Sequence, residues 1–211
     1  MSTRRVASPA GAVPRELRAR GQATRDRLLR AGVDVFAERG FHAARVDDIV
    51  KVAATSHGTF YLYFANKEEL FRALAELVAA ELEALAGELP PLTADPQGLA
   101  ALEEWIAEFA SIYAHAGPII RAWTEAEIVA SDVGRLGTNV HAAFTRALMD
   151  RIRSTPTAGI DPVVAAIALV AMIERTNYYA LTGQANVEGP AVATTLARVT
   201  HAAIFGASPS A

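Results

Sequence analysis

Apolar positions recur at helical spacing through almost the whole chain. Leu28, Leu29, Gly32, Val35 and Phe36 fall at i, i+1, i+4, i+7 and i+8, one face of a helix. Gly40 stands where a glycine ends such a helix. Val46, Ile49, Val50 and Ala53 repeat at i, i+3, i+4 and i+7 and predict a short second helix, and Ala54, Thr55 and Ser56 fit a tight turn after it. A third short helix carries Phe60 and Phe64, and Asn66 with Glu69 resembles a capping box that opens a fourth, running to about Leu89. Pro90, Pro91, Asp95 and Pro96 read as a boundary.

The remainder continues in the same period. Leu99, Leu102, Ile106, Phe109 and Tyr113 share a face, Pro118 starts another helix, and Val140 to Ile152 is amphipathic. Asp161 before Pro162 is an N-cap followed by a proline at the first helical position. The helix it opens is apolar on nearly every face to Ile173, so it is expected to be covered on all sides, and Pro190 begins a last helix ending near Gly206. No strand alternation and no internal repeat is visible. The expected fold is all-α, with a basic disordered arm at 1–20, a three-helix unit at 21–67 and a larger helical domain at 68–211.

Charge sharpens this division. Residues 1–70 hold 12 Lys/Arg against 8 Asp/Glu, while residues 71–211 hold 8 against 15, although the whole chain is at −3. Such asymmetry suits one part that meets phosphates and one that does not. The arm alone carries Arg4, Arg5, Arg15, Arg18 and Arg20 against Glu16, which reads as a solvated tail or as a source of extra phosphate contacts. Cysteine is absent, which excludes disulfides and thiolate chemistry and fits a cytoplasmic location. The longest uncharged apolar run, 162–173, is too short for a bilayer, and the first 20 residues lack the apolar core of a secretory signal.

Three closely spaced helices, the last two joined by a very short turn, make a helix-turn-helix. Its second helix fits the major groove of duplex DNA while its partner braces it. The residues expected to face the groove are Thr55, Ser56, His57, Thr59, Tyr61 and Tyr63, all able to hydrogen-bond. Gly58 permits close approach, and Lys67 follows where an ammonium and a helix N-terminus can both meet phosphate.

The stretch Val46-Asp47-Asp48-Ile49, then Ala53-Ala54-Thr55-Ser56-His57-Gly58-Thr59-Phe60-Tyr61-Leu62-Tyr63-Phe64 and Asn66-Lys67-Glu68-Glu69-Leu70, closely resembles the TetR family of repressors. So does the preceding helix from Thr24-Arg25 to Phe36-Ala37-Glu38-Arg39-Gly40-Phe41. The resemblance covers roughly residues 22–71. It implies a homodimer, an N-terminal DNA-binding domain, a pseudo-palindromic operator and release by a small molecule bound in the larger domain. It makes Tyr61, Tyr63 and Lys67 phosphate or base-edge contacts, and places Ser56, His57 and Thr59 in the groove. Two residues depart from the family pattern. Ala54 replaces the usual turn glycine, at a cost of about 1–2 kcal/mol if φ is positive there. Arg45 replaces a hydroxyl cap, and is either a phosphate contact or a solvated charge. Glu174-Arg175-Thr176 and Ile204-Phe205-Gly206 resemble the EthR branch, which implies an elongated apolar pocket.

For such a pocket the candidates are Trp105, Phe109, Tyr113, Trp123, Phe144, Met149, Met172 and Tyr178, although each taken singly is more often plain core. Asn177 and Glu174 interrupt the apolar helix and need a partner in a ligand, a neighbouring helix or a second subunit. The five histidines show no metal-ligand spacing, and no phosphate loop or nucleophile elbow occurs, so neither a metal, a cofactor nor an enzyme is expected. The expected function is a ligand-released transcriptional repressor. The alternatives are a constitutive DNA-binding protein and, more distantly, an all-α enzyme.

Overall fold

The computed structural model describes residues 15–125, 132–155, 159–184, 187 and 189–206. Within them the regular secondary structure is all helical: α1 (Arg15–Ala43), α2 (Val46–Val52), α3 (His57–Tyr61), α4 (Lys67–Gly87), α5 (Pro96–His115), α6 (Gly117–Glu125), α7 (Asp132–Arg153), α8 (Pro162–Leu181) and α9 (Gly189–Phe205). Among the described residues no helix is long and apolar enough to cross a membrane, and no three metal-ligating side chains gather.

Most helix ends follow local chemistry that can be read from the residues. Gly40 has φ 72° and ψ 165°, a conformation open in practice only to glycine, and it kinks α1 one turn before its end. Asn66 accepts from the Glu69 amide at 2.8 Å, while the Glu69 carboxylate reaches back to Ala65 rather than to Asn66. Asp161 accepts from both Val163 and Val164 at 2.9 Å ahead of Pro162.

Four expectations need correction. The arm assigned to 1–20 is helical from Arg15 onward, because α1 extends well ahead of its apolar face; residues 1–14 lie outside the described residues. Asp95 and Pro96 are the N-cap and first residue of α5, not a boundary loop. The Asp95 carboxylate accepts from Gly98 at 2.7 Å and from the Thr93 hydroxyl at 2.9 Å. Helix α7 starts eight residues earlier than its apolar pattern, at Asp132 rather than Val140. Within a single chain helix α8 is not covered on all sides, since Val163, Val164 and Ile167 are exposed.

A single buried apolar cluster runs from Leu28 in α1 to Ile204 in α9. Helix α1 packs on α2, α4 and α6, and α5 packs on α9, while α7 lies between α4 and α8. The long helix α4 therefore belongs to both ends: Leu70, Phe71 and Leu74 pack near α1, and Leu82, Leu85 and Ala86 lie among the later helices. Phe36, Phe41 and Phe71 meet in tilted and edge-on contacts at 4.8–5.7 Å and fasten the two parts together.

Candidate functional site

Helix α3 is short, and it is fixed from within. Phe60 is completely buried beneath it, and Phe64 is buried just past its end. Ser56 caps it, its hydroxyl accepting from the Thr59 amide at 3.1 Å and pairing with the Thr59 hydroxyl at 3.0 Å. The turn from α2 places Ala54 at φ 48°, and Ala54 is the only non-glycine residue with positive φ among the described residues. The family's usual glycine position is thus kept in conformation though not in residue.

The outward surface of this unit differs in part from expectation. Tyr61 is exposed at 56%, and Leu62, not singled out from the sequence, is exposed at 81%. Ser56, His57 and Gly58 are exposed, whereas Thr55 and Thr59 are half-buried. Tyr63 is half-buried against the core, not free in the groove face. It follows the end of α3, and its hydroxyl lies beside Gly21 of α1. His57 pairs with Asp47 of α2 at 2.5 Å, joining the reading helix to its brace. Arg45 is exposed at the start of α2. Its side chain makes no cap, and the Asp48 carboxylate accepts its backbone N–H at 3.3 Å instead.

Lys67 is the clearest correction. Its ammonium donates to the carbonyls of Phe41, His42 and Ala44 at 2.9, 3.1 and 3.0 Å and sits over the Phe41 ring. An ammonium has three hydrogens, and all three have acceptors at the end of α1. Lys67 therefore ties α4 to the end of α1 in this structure, rather than standing free toward a phosphate.

Gly58 has the opposite property. A Cβ built there would meet only the Ser56 hydroxyl, at an ordinary 3.8 Å. Nothing inside the protein requires the missing side chain. The space it leaves faces outward beside Tyr61.

In the later helices α4, α5, α6, α7 and α8 surround a cavity of about 250 Å³. Five of the expected residues line it: Trp105, Phe109, Tyr113, Trp123 and Phe144. Helix α8 contributes Val170, Ile173 and Glu174, at i, i+3 and i+4. Met172 falls off that stripe, and Tyr178 lies a turn beyond it, half-buried beneath the Arg175 guanidinium at 5.4 Å. Neither lines the cavity. Nor does Asn177, whose side-chain amide is satisfied by its own helix, donating to Ile173 at 2.8 Å. Met149 packs against the core and is likewise absent from the lining. Sequence reasoning missed Leu82, Gly137, Val140 and His141 as lining residues. Gly137 carries no apolar signal, and a Cβ there would stand in ordinary contact with the Trp123 indole, at 3.5 Å.

Burial pushes the Tyr113 phenol above its usual range, and the nearby Glu174 charge adds to that. It stays a neutral hydroxyl in the cavity wall.

Residues 28–74 match the family described as bacterial regulatory proteins, tetR family. The chain is 43% identical over 65 residues to the uncharacterized HTH-type transcriptional regulator YvdT of Bacillus subtilis, covering 30% of this chain and 34% of that protein. It is 36% identical over 84 residues to the HTH-type transcriptional repressor NicS of Pseudomonas putida, covering 40% and 39%. The matched segment thus spans between a third and two fifths of these curated relatives. Similarity of fold extends much further. NalD of Pseudomonas aeruginosa, secondary repressor of the MexAB-OprM multidrug efflux pump, superposes with a TM-score of 0.67 at 20% identity, over 86% of this chain and 95% of that one. FadR of Bacillus subtilis, in complex with stearoyl-CoA, does so at 0.63 and 21% identity, over 87% and 99%. Residues 28–74 are thus a tetR-family N-terminal domain, set in a fold shared with these regulators.

Proposed function

We propose that the protein is a transcriptional regulator that binds a pseudo-palindromic operator as a homodimer and is released by an apolar or amphipathic ligand in the cavity. The observation that carries the DNA reading is Gly58. It is a bare position on an exposed helix, with no internal reason to be glycine, flanked by Tyr61 and Leu62. A surface of that shape admits a close neighbour from outside, and the major groove supplies one. Tyr61 offers a hydroxyl to a base edge or phosphate, and Leu62 offers apolar contact to a thymine methyl. Residues 15–66 would form the reading head and 68–206 the ligand and dimer part, with Lys67 as the joint.

The ligand reading rests on the aromatic-lined cavity, and the FadR–stearoyl-CoA complex adds that a protein of this fold holds an amphipathic ligand with a long acyl chain. The cavity is walled in part by Ile120 and Trp123 of α6 and Leu82 of α4. Helix α6 packs on α1, and α4 is locked to α1 by Lys67. A ligand that shifts either helix therefore shifts the head. Because ligand and operator prefer different arrangements of one molecule, each weakens the other's binding by the same factor.

The test begins with selection of bound fragments from genomic DNA, which defines an operator. Gly58→Ala should then leave thermal stability unchanged or slightly raised, since alanine is the better helix former. It should weaken operator binding by about 1–3 kcal/mol, the scale of one good contact. An unchanged affinity would remove α3 from the interface.

A further inference from the structure

The cavity wall joins two kinds of surface. Trp105, Phe109, Tyr113, Trp123 and Phe144 supply aromatic area. Several of these rings hold one another in place: Phe109 stacks on Tyr113 at 4.6 Å, and Phe144 meets Phe109 and Trp105 edge-on at 5.3 and 5.7 Å. The Trp105 indole N–H is already used, donating to the Leu85 carbonyl at 2.8 Å. Into this wall α8 carries Glu174, half-buried and without a hydrogen bond or ion pair among the described residues.

Its neighbour Arg175 does not neutralise it. That guanidinium lies over the rings of Tyr178 and Tyr179, at 5.4 and 5.9 Å from their centroids. Among the described residues no lysine or arginine lines the cavity. Apart from Tyr113 and Glu174 the only ionisable lining residue is His141, which is exposed to solvent. Glu174 and Tyr113 share the cavity wall.

A carboxylate held against apolar surface without a partner is unfavourable. A cation with an apolar body removes that penalty and gains contact with ring faces, whose quadrupoles attract positive charge. Quaternary ammonium groups suit the site best, because they are weakly hydrated and lose little on entering it. A fatty-acid carboxylate would instead meet Glu174 with like charge and find no cation in the wall. We propose that the cavity binds a lipophilic monocation, its charged group seated between Glu174 and the aromatic faces. This rests on the reading of the cavity as a ligand site.

Both tryptophans of the chain line the cavity, so intrinsic fluorescence reports its occupancy. The probes are benzyltrimethylammonium and its neutral isostere neopentylbenzene, which differ in charge and hardly in shape. The full-length protein should bind the cation at least tenfold more tightly, and Glu174→Gln should erase that difference while Glu174→Asp retains most of it. Equal affinity of the two probes for the unsubstituted protein would overturn the cation inference and leave the cavity reading standing. A preference that survives in Glu174→Gln would overturn the role of Glu174. If neither probe changes the fluorescence or the melting temperature up to its solubility limit, the cavity reading falls and the inference with it. The comparison on the unsubstituted protein decides the charge question even if Glu174→Gln fails to fold.

Discussion

Ala54 carries a backbone conformation that suits glycine, φ 48°, in the turn between α2 and α3. A Cβ in the left-handed region crowds the backbone by about 1–2 kcal/mol, part of which glycine gives back through its freedom in the unfolded chain. Ala54→Gly is therefore expected to stabilise the protein by about 1 kcal/mol, read as a higher melting temperature, without altering which DNA sequence is selected. The turn was legible in the sequence because helical spacing breaks off and resumes around three small residues. Lys67 was not legible in the same way. Its acceptors lie 23 to 26 residues earlier in the chain, and no periodicity reports a contact of that range. Lys67→Met keeps an unbranched apolar stem and removes the three donors together with the charge over the Phe41 ring. It should destabilise the protein by about 2 kcal/mol, measured by denaturant titration. An unchanged midpoint would mean the three hydrogen bonds contribute nothing net.

Among the elements, the sequence was most informative where a cap and an apolar stripe agree, as at Asp161–Pro162 and Asn66–Glu69. It failed where one signal was missing. The first turns of α7 hold Gly134 and Gly137, which carry no stripe, so the helix was read from Val140. The cavity-facing stripe of α8 was misassigned because an aromatic or amide residue looks more like a ligand contact than Val170 or Ile173 does. The opposite face of α8 leaves Val163, Val164 at 67% and Ile167 exposed, and Tyr179 and, on α9, Val199 are exposed as well. Large apolar residues clustered on a surface mark an interaction site, and a second copy of the same two helices would cover them in a four-helix arrangement. Ile167→Glu should yield monomers by sedimentation at micromolar concentration, with loss of binding to a palindromic site. A substituted protein that remains dimeric would place the interface elsewhere.

At the scale of the molecule, the reading head and the cavity share one continuous core through α1, α4 and α6. That continuity could not be seen in the sequence, where Pro90–Pro96 looked like a break. Helix α6 lines the cavity and also packs on α1. The proposed DNA binding draws on a net basic segment, residues 1–70, in an otherwise acidic chain. The most direct measurement is therefore operator affinity as a function of salt, for the unsubstituted protein and for Tyr61→Ala. Phosphate neutralisation predicts that affinity falls by roughly 10³-fold or more between about 50 and 200 mM salt. Tyr61→Ala should weaken binding by about 1–3 kcal/mol with its melting temperature kept, because the side chain points outward at 56% exposure. A nearly flat salt response, or a Tyr61→Ala protein that binds the operator undiminished, would contradict the reading of α3 as the DNA-contacting helix.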